Sequence, residues 1–192
     1  MICWGGVHMA NVSEELQALR AQWRWRGTER PPFAEVPQPG QESVWDYPRP
    51  PKVAADSREI VIRWGSIQIA RTQRSMRVLE TAHPPSFYLP WEDVDRGLLQ
   101  PGSGSSICEW KGRARYWSLV NGNDQLVNIA WSYPAPLPGA EWLASHVAFY
   151  PASLDCRVDR APVVAQPGGF YGGWITPELV GPFKGVPGSA GW

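Results

Sequence analysis

The sequence predicts a single, mainly β domain built from antiparallel strands. Two segments have strand-like patterns on both sides of a short turn: residues 58–70 turn at Gly65-Ser66, and residues 113–133 turn within 121–124. Glycine and asparagine accept the left-handed backbone angles that tight hairpin turns require. A length of 192 residues also suits one domain of ordinary size.

Alternating apolar side chains support the first hairpin. Ile60, Ile62 and Trp64 alternate with other residues before the turn, as expected of a strand with one buried face. Shorter strands are predicted at 77–80, 86–89 and 146–150, and helical turns at 91–94 and 139–145. The strands form either a single small antiparallel barrel or two sheets packed at an angle.

The N-terminal region predicts a short helix followed by a proline-rich arm. Residues 12–24 place Leu16, Leu19 and Trp23 at helical spacing, with Ser13 as a candidate N-cap. Prolines recur from 31 to 51, which excludes a helix or a central strand there. Met9 is an alternative start to Met1.

The C-terminal tail alternates glycines with large aromatic side chains. Phe170, Tyr171 and Trp174 would expose much apolar surface in a free tail, so we expect the tail to dock on the core. The predicted organisation is an arm at 1–51, a β core at 52–159 and a docked tail at 160–192.

Composition and charge argue against several classes of protein. Lys plus Arg and Asp plus Glu both number 18, so no basic excess attracts nucleic acid or an anionic membrane. The three cysteines form no CxxC pair, so neither zinc nor any other cofactor is predicted. No apolar run reaches the roughly 18 residues of a membrane span. We expect a soluble cytoplasmic protein, and the sequence leaves a homodimer open.

Three groups of residues are candidates for a functional site. The first is Glu80, His83 and Tyr88, where Pro84-Pro85 stiffens the loop after the histidine. A carboxylate three residues from a histidine can orient it or exchange a proton with it. The same carboxylate can instead accept loop amides, which is a structural role.

The second group surrounds Lys111. Gly112 follows it and permits close approach of the backbone, so the ammonium can bind an anionic or carbonyl group. The alternative is a solvated lysine in a turn. Cys108 is a nucleophile only if a histidine lies beside it, and a lone cysteine is more often a small buried hydrophobe.

The third group is aromatic. Trp131 and Tyr133 are two residues apart and share a strand face, and we expect the neighbouring strand to place Trp117 opposite them. Such rings can bind a flat or cationic ligand, or they can simply pack as core. His146 lies on a later strand, as a catalytic residue or as a core histidine.

These residues lie in the segments RVLETAHPPSFYLPWEDV, CEWKGRARYWSLV, IAWSYPAPLP and HVAFYP. The segments resemble the bacterial family known as domain of unknown function 427, which is also labelled nucleotidyltransferase-like. The resemblance covers about residues 52–192 and implies a β-tent shape similar to that of the cereblon ligand-binding domain and methionine sulfoxide reductase B. Proteins of that shape commonly hold zinc on two CxxC pairs, which this chain lacks, so packing must replace the metal here.

The residues do not support the label nucleotidyltransferase-like. Two-metal nucleotidyltransferases carry a DxD pair on a strand that follows a Gly-Ser loop. The one DxD in this chain is Asp93-Val94-Asp95, in a predicted helical turn that precedes the Gly-Ser pairs at 102–105. The order of the DxD pair and the Gly-Ser pairs therefore differs from that of a two-metal nucleotidyltransferase, and so does the predicted structure around the DxD pair.

The sequence therefore predicts a small-molecule-binding protein or an enzyme with an aromatic-lined pocket. The catalytic candidates are Glu80, His83, Lys111 and His146. The ligand-binding candidates are Tyr88, Trp117, Trp131 and Tyr133. The alternatives are a non-catalytic module that recognises a peptide end or a modified side chain in an aromatic cage, and a structural or interaction protein.

Overall fold

A computed structural model of the protein describes the backbone of residues 6–192 and the side chains from residue 14 onward. Cys3 and the choice between Met1 and Met9 as the start lie outside the described residues. Within the described part, no helix is long and apolar enough to cross a membrane.

Strands dominate the described chain, which holds one α-helix and fifteen strands between residues 6 and 192. These are α1 (Gly6–Ala21), β1 (Glu42–Ser43), β2 (Lys52–Asp56), β3 (Ile60–Trp64), β4 (Ile67–Thr72), β5 (Ser75–Leu79), β6 (Ser86–Pro90), β7 (Leu99–Cys108), β8 (Gly112–Asn121), β9 (Asp124–Ser132), β10 (His146–Phe149), β11 (Asp155–Val158), β12 (Ala161–Pro162), β13 (Val164–Ala165), β14 (Trp174–Ile175) and β15 (Leu179–Val180). Short 3₁₀ turns lie at Val44–Asp46, Trp91–Asp93, Arg96–Leu98, Glu141–Ser145 and Pro151–Ser153.

Two antiparallel sheets form the body of the protein. The larger has seven strands in the order β2-β5-β6-β10-β9-β8-β7 and curls into a half barrel. The smaller has four strands in the order β12-β11-β3-β4. Two short pairs are also present: β1-β15 joins the arm to the tail, and β13-β14 lies within the tail. The predicted mainly β class is confirmed.

Both predicted hairpins are present, with their turns where the glycines indicated. The backbone is left-handed at Gly65, between β3 and β4, and at Gly122, between β8 and β9. These turns need a residue that adopts positive φ without strain, which glycine does.

The prediction for the first helix is wrong at both ends. Helix α1 begins at Gly6 and ends at Ala21, instead of spanning residues 12–24. Ser13 therefore lies inside the helix and is not its N-cap. Trp23 lies beyond the helix end, so its side chain is not part of a helical stripe.

Strand β7 was missed because its sequence has the composition of a loop. It contains Pro101, Gly102 and Gly104, but it lies at the edge of the large sheet, where proline is tolerated. Its pairing with β8 shifts register between Pro101 and Ser105. A Cβ at Gly102 would overlap Asn128 Oδ1, so a larger residue there would displace the Asn128 side chain from its hydrogen bonds to Ser103.

The main hydrophobic core lies between the two sheets. Ile60 and Ile62 from the small sheet pack with Phe87 and Leu89 from the large sheet, and all four are buried. Trp174 from the tail is also fully buried there, and its indole Nε1 donates to the Phe149 carbonyl oxygen at 2.9 Å. The expectation that the tail docks on the core is therefore confirmed.

Replacing Trp174 with alanine removes a fully buried indole and its hydrogen bond, so we expect the free energy of unfolding to fall by about 3–5 kcal/mol. Phe170→Ala is the matched control, because Phe170 lies in the same tail but is 64% exposed. Its effect should stay within about 0.5 kcal/mol. Urea denaturation measures both, and equal losses would contradict docking through Trp174.

Candidate functional site

A cavity of about 290 Å³ opens on the face of the seven-stranded sheet that is turned away from the main core. Its lining combines aromatic rings with ionisable groups. The lining includes Trp23, Glu80, His83, Tyr88, Cys108, Glu109, Lys111, Tyr116, Trp131, Tyr133, Tyr150, Gln166, Tyr171 and Lys184.

The floor of the cavity is a row of side chains that crosses four neighbouring strands. Strand pairing places Tyr88, Ala148, Trp131 and Tyr116 side by side on one face of the sheet. Because Ala148 is small, the indole Nε1 of Trp131 reaches over it and donates to the Tyr88 hydroxyl at 3.2 Å. Tyr150 lies against Trp131, with 4.5 Å between ring centroids. The sheet thus supplies a rigid aromatic floor.

Six of the eight predicted site residues line this cavity. They are Glu80, His83, Tyr88, Lys111, Trp131 and Tyr133. The β8–β9 hairpin brings the turn that carries Lys111 beside the end of β9, because the start of one strand lies next to the end of its partner. The other two, Trp117 and His146, lie elsewhere.

Trp117 lies on the opposite face of β8. Its Nε1 donates to Ser132 Oγ at 2.9 Å, and its ring packs edge to face on Trp91 beside the main core. Tyr116 takes the expected place, because it is the residue that pairs with Trp131. The sequence contained the signal for this, since a two-residue turn at 122–123 pairs odd-numbered positions of β9 with even-numbered positions of β8.

His146 is not brought together with the other candidates. Its Nδ1 lies 2.8 Å from the Trp142 carbonyl oxygen and 3.0 Å from Ser145 Oγ, and its ring packs against Trp142. These contacts hold it at the start of β10, outside the cavity lining.

Glu80 is held by an arginine from the arm. Arg49 Nε donates to Glu80 Oε1 at 3.0 Å, and its other nitrogens donate to the carbonyl oxygens of Trp25 and Thr81. The guanidinium also lies over the ring of Trp23, 4.6 Å from its centroid. The Arg49 side chain is fully buried, and burial lowers its pKa from the usual arginine value. The glutamate is therefore a fixed carboxylate.

The ring of His83 has a defined tautomer. Gly173 N donates to Gln166 Oε1, so the Gln166 amide nitrogen is the atom that faces Lys184 O at 2.8 Å and His83 Nδ1 at 3.0 Å. That nitrogen donates to both, so His83 Nδ1 accepts and Nε2 carries the proton. The pKa of His83 is lowered well below its usual value by burial and by the cations Lys184, Arg49 and Lys111. His83 is thus a neutral donor at pH 7.

Lys111 contributes an ammonium group to the cavity lining. Burial opposes its charge, but its neighbours raise its pKa well above the usual range; in order of effect they are Cys108, Tyr88, Tyr133 and Glu80. Burial also raises the pKa of the first three, so they are neutral at pH 7 and act on the pKa of Lys111 only at higher pH, where they ionise; at pH 7 Glu80 is the charged neighbour in this set. Within residues 14–192, no protein group forms a hydrogen bond or an ion pair with the Lys111 ammonium.

The arm and the tail close one side of the cavity together. Trp23 lies between two cations, with Lys184 Nζ 3.8 Å from its ring centroid and Arg49 against the same ring. Its Nε1 donates to Glu109 Oε1 at 2.7 Å, next to the turn that carries Lys111. Lys184 Nζ donates to the main-chain oxygens of Ala190 and Trp192. Burial and the nearby Arg49 lower the pKa of Lys184 to about 8.

The protein is mainly β, and its large sheet carries an open cavity lined with aromatic and ionisable side chains. The chain belongs to the family described as domain of unknown function (DUF427), whose family model matches residues 52–160. The comparison with curated proteins gives no match. The matched segment contains the floor, Glu80, His83 and Lys111, whereas Trp23, Arg49 and Lys184 lie outside it.

The carboxylates of the Asp93-Val94-Asp95 segment have structural roles. Asp93 accepts from Thr72 Oγ1 at 2.6 Å and from Arg74 at 2.7 Å, and Asp95 accepts from Gly97 N at 3.0 Å. Neither lines the cavity. Over residues 14–192, no three His, Cys, Asp or Glu side chains lie together in a way that could hold a metal ion.

The lowered pKa of His83 predicts how the free energy of unfolding changes with pH. Its pKa in the folded protein lies below the ordinary value of about 6.5, so the unfolded chain takes up a proton first as pH falls. This group therefore lowers the free energy of unfolding as pH falls below about 6.5, by at most about 1.4 kcal/mol per pH unit. Urea denaturation between about pH 7 and pH 5.5 should show a smaller loss for His83→Gln than for the wild type.

Nitrogen-15 NMR tests the same assignment directly. At pH 7 the His83 ring should be neutral with its proton on Nε2. An imidazolium ring, or a neutral ring protonated on Nδ1, would contradict the hydrogen bond from Gln166.

Proposed function

We propose that the protein binds a small organic anion, with the carboxylate at Lys111 and a flat or apolar body against Trp131 and Tyr150. The observation that carries this proposal is the Lys111 ammonium, which lines the cavity and has no protein partner within residues 14–192. Lys111 is half-buried, and a charge that is partly withdrawn from water is stabilised by an ionic or hydrogen-bonding partner. An anionic ligand would supply the missing partner.

The surrounding charges favour an anion over a cation. Glu80 already accepts from Arg49, and Glu109 already accepts from Trp23. Lys111, Lys184 and the Arg49 that pairs with Glu80 give three cations against the two carboxylates, Glu80 and Glu109, so the local balance is positive. This argues against the aromatic cage for a cationic side chain, although the aromatic walls alone would suit one.

The remaining groups match the other parts of such a ligand. The proton on His83 Nε2 and the hydroxyls of Tyr88 and Tyr133 are donors that could serve a second oxygen atom of the ligand. The floor ring of Trp131 presents an apolar surface for a planar group. A volume of about 290 Å³ lies at the small end of the range for ligand sites, which suits a molecule of about the size of benzoate.

A second candidate function is an enzyme that transfers a proton on the same anion. One observation favours it: Glu80 Oε1 is held by Arg49, while Oε2 accepts no protein hydrogen bond within residues 14–192. Glu80 would then be the base, and Lys111 would stabilise negative charge on the substrate. His83 would donate a hydrogen bond and would not act as the base, because Nδ1 accepts from Gln166 and the free Nε2 carries the proton.

Binding should depend on the charge of Lys111. We expect benzoate to raise the melting temperature of the wild type by mass action and benzamide, its neutral isostere, to have little effect. Lys111→Met should weaken benzoate binding by about 10- to 100-fold. This corresponds to the loss of one hydrogen bond to a charged group, which contributes about 1.5–3 kcal/mol. Isothermal titration calorimetry measures the affinity.

Lys52→Met is the matched control, because Lys52 is an exposed lysine on β2 that does not line the cavity. Lys52→Met changes the net charge by the same amount as Lys111→Met, and it should leave benzoate affinity unchanged. Equal binding of benzoate and benzamide, or equal losses in the two variants, would contradict the proposal.

A further inference from the structure

A second cavity, of about 420 Å³, adjoins the first. The two share five lining residues, which form the wall between them: Tyr116, Tyr150, Gln166, Phe170 and Tyr171. A ligand that passes this wall would therefore occupy both cavities.

The two cavities differ in charge. The first contains Lys111, Glu80 and other ionisable groups, whereas the second has no Asp, Glu, Lys, Arg or His in its lining over residues 14–192. Val127 and Ile129 from β9 and Pro151 supply much of its apolar surface. A charged chamber beside an uncharged one is complementary to a molecule with an ionic end and an apolar end.

Part of the dividing wall is weakly held. Phe170 is 64% exposed, although it is a large aromatic residue, and Tyr150 Oη donates to its carbonyl oxygen at 3.3 Å. Gly168 and Gly169 precede it, both with positive φ, and the position beside Gly169 is open. By contrast, a Cβ at Gly172 would overlap the Trp131 ring, so the loop packs closely against the sheet directly after Tyr171. A shift of the Phe170 ring would break its edge-to-face contact with Tyr171, 5.1 Å between ring centroids, and would join the cavities.

We propose that the ligand is an elongated organic acid whose carboxylate lies at Lys111 and whose apolar end passes Phe170 into the second cavity. This inference rests on the proposed function, because it uses Lys111 as the anchor for the carboxylate. It adds that the second cavity selects for the length and the apolar character of the ligand.

A series of ω-phenylalkanoates, from benzoate to 5-phenylpentanoate, tests the inference by calorimetry. Each methylene that becomes buried should strengthen binding about fourfold, the equivalent of about 0.8 kcal/mol per buried methylene. The wild type should therefore bind the longest acid much more tightly than it binds benzoate. Lys111→Met should weaken binding of every acid in the series.

Val127→Asp places a charge in the second cavity at a site that is 62% exposed, so the fold should tolerate it. It should weaken binding of 5-phenylpentanoate at least tenfold and leave benzoate unaffected. Val164→Asp is the matched control, because Val164 is a strand valine that is 63% exposed and lines neither cavity. It should bind both acids as the wild type does, and thermal melting should show both variants folded.

Two results separate the two proposals. If benzoate binds through Lys111 but affinity does not rise with length, or if Val127→Asp behaves like Val164→Asp, the second cavity takes no part and this inference is overturned. If no acid binds at all, the proposed function fails as well.

Discussion

The buried ion pair between Arg49 and Glu80 is the interaction on which the site depends. It joins the arm to the loop that carries the candidate site, and the same guanidinium satisfies the carbonyl oxygens of Trp25 and Thr81. Removing either partner of such a pair typically costs about 3–5 kcal/mol, because a buried charge is left uncompensated. Without Arg49, the Glu80 carboxylate would lose its ion pair and the ring of Trp23 would lose one of its two cation contacts.

The loop at 80–83 is where the arm, the sheet and the tail meet. Ala82 is fully buried and adopts a left-handed backbone with φ of 69°, a conformation that costs an alanine about 1 kcal/mol or more. Its N–H donates to Val44 O, in the arm, and its carbonyl oxygen accepts from Lys184 N, in the tail. The family segment thus supplies the floor and the ionisable groups, and the flanking segments supply one wall. A ligand bound in the cavity would therefore contact residues from inside and outside the family segment.

Features with local signals could be predicted from the sequence, and those that depend on distant segments could not. The hairpin turns at Gly65 and Gly122 follow from glycine chemistry, and the hairpin geometry placed Lys111 near Trp131. Choosing Trp117 over Tyr116 was an error of strand register that the turn length could have corrected. By contrast, nothing local indicates where a proline-rich arm crosses a sheet, so the roles of Arg49, Gln166 and Lys184 follow only from tertiary packing.

The central claim is that Lys111 and the aromatic floor form one binding site for an organic acid. A crystal of the wild-type protein soaked in 4-bromobenzoate tests it most directly, because the anomalous signal of bromine reports the orientation of the ligand. The account predicts a carboxylate within hydrogen-bonding distance of Lys111 Nζ, with the ring against Trp131 and the bromine directed toward Phe170. A bromine peak outside the cavity, or a carboxylate turned away from Lys111, would contradict it.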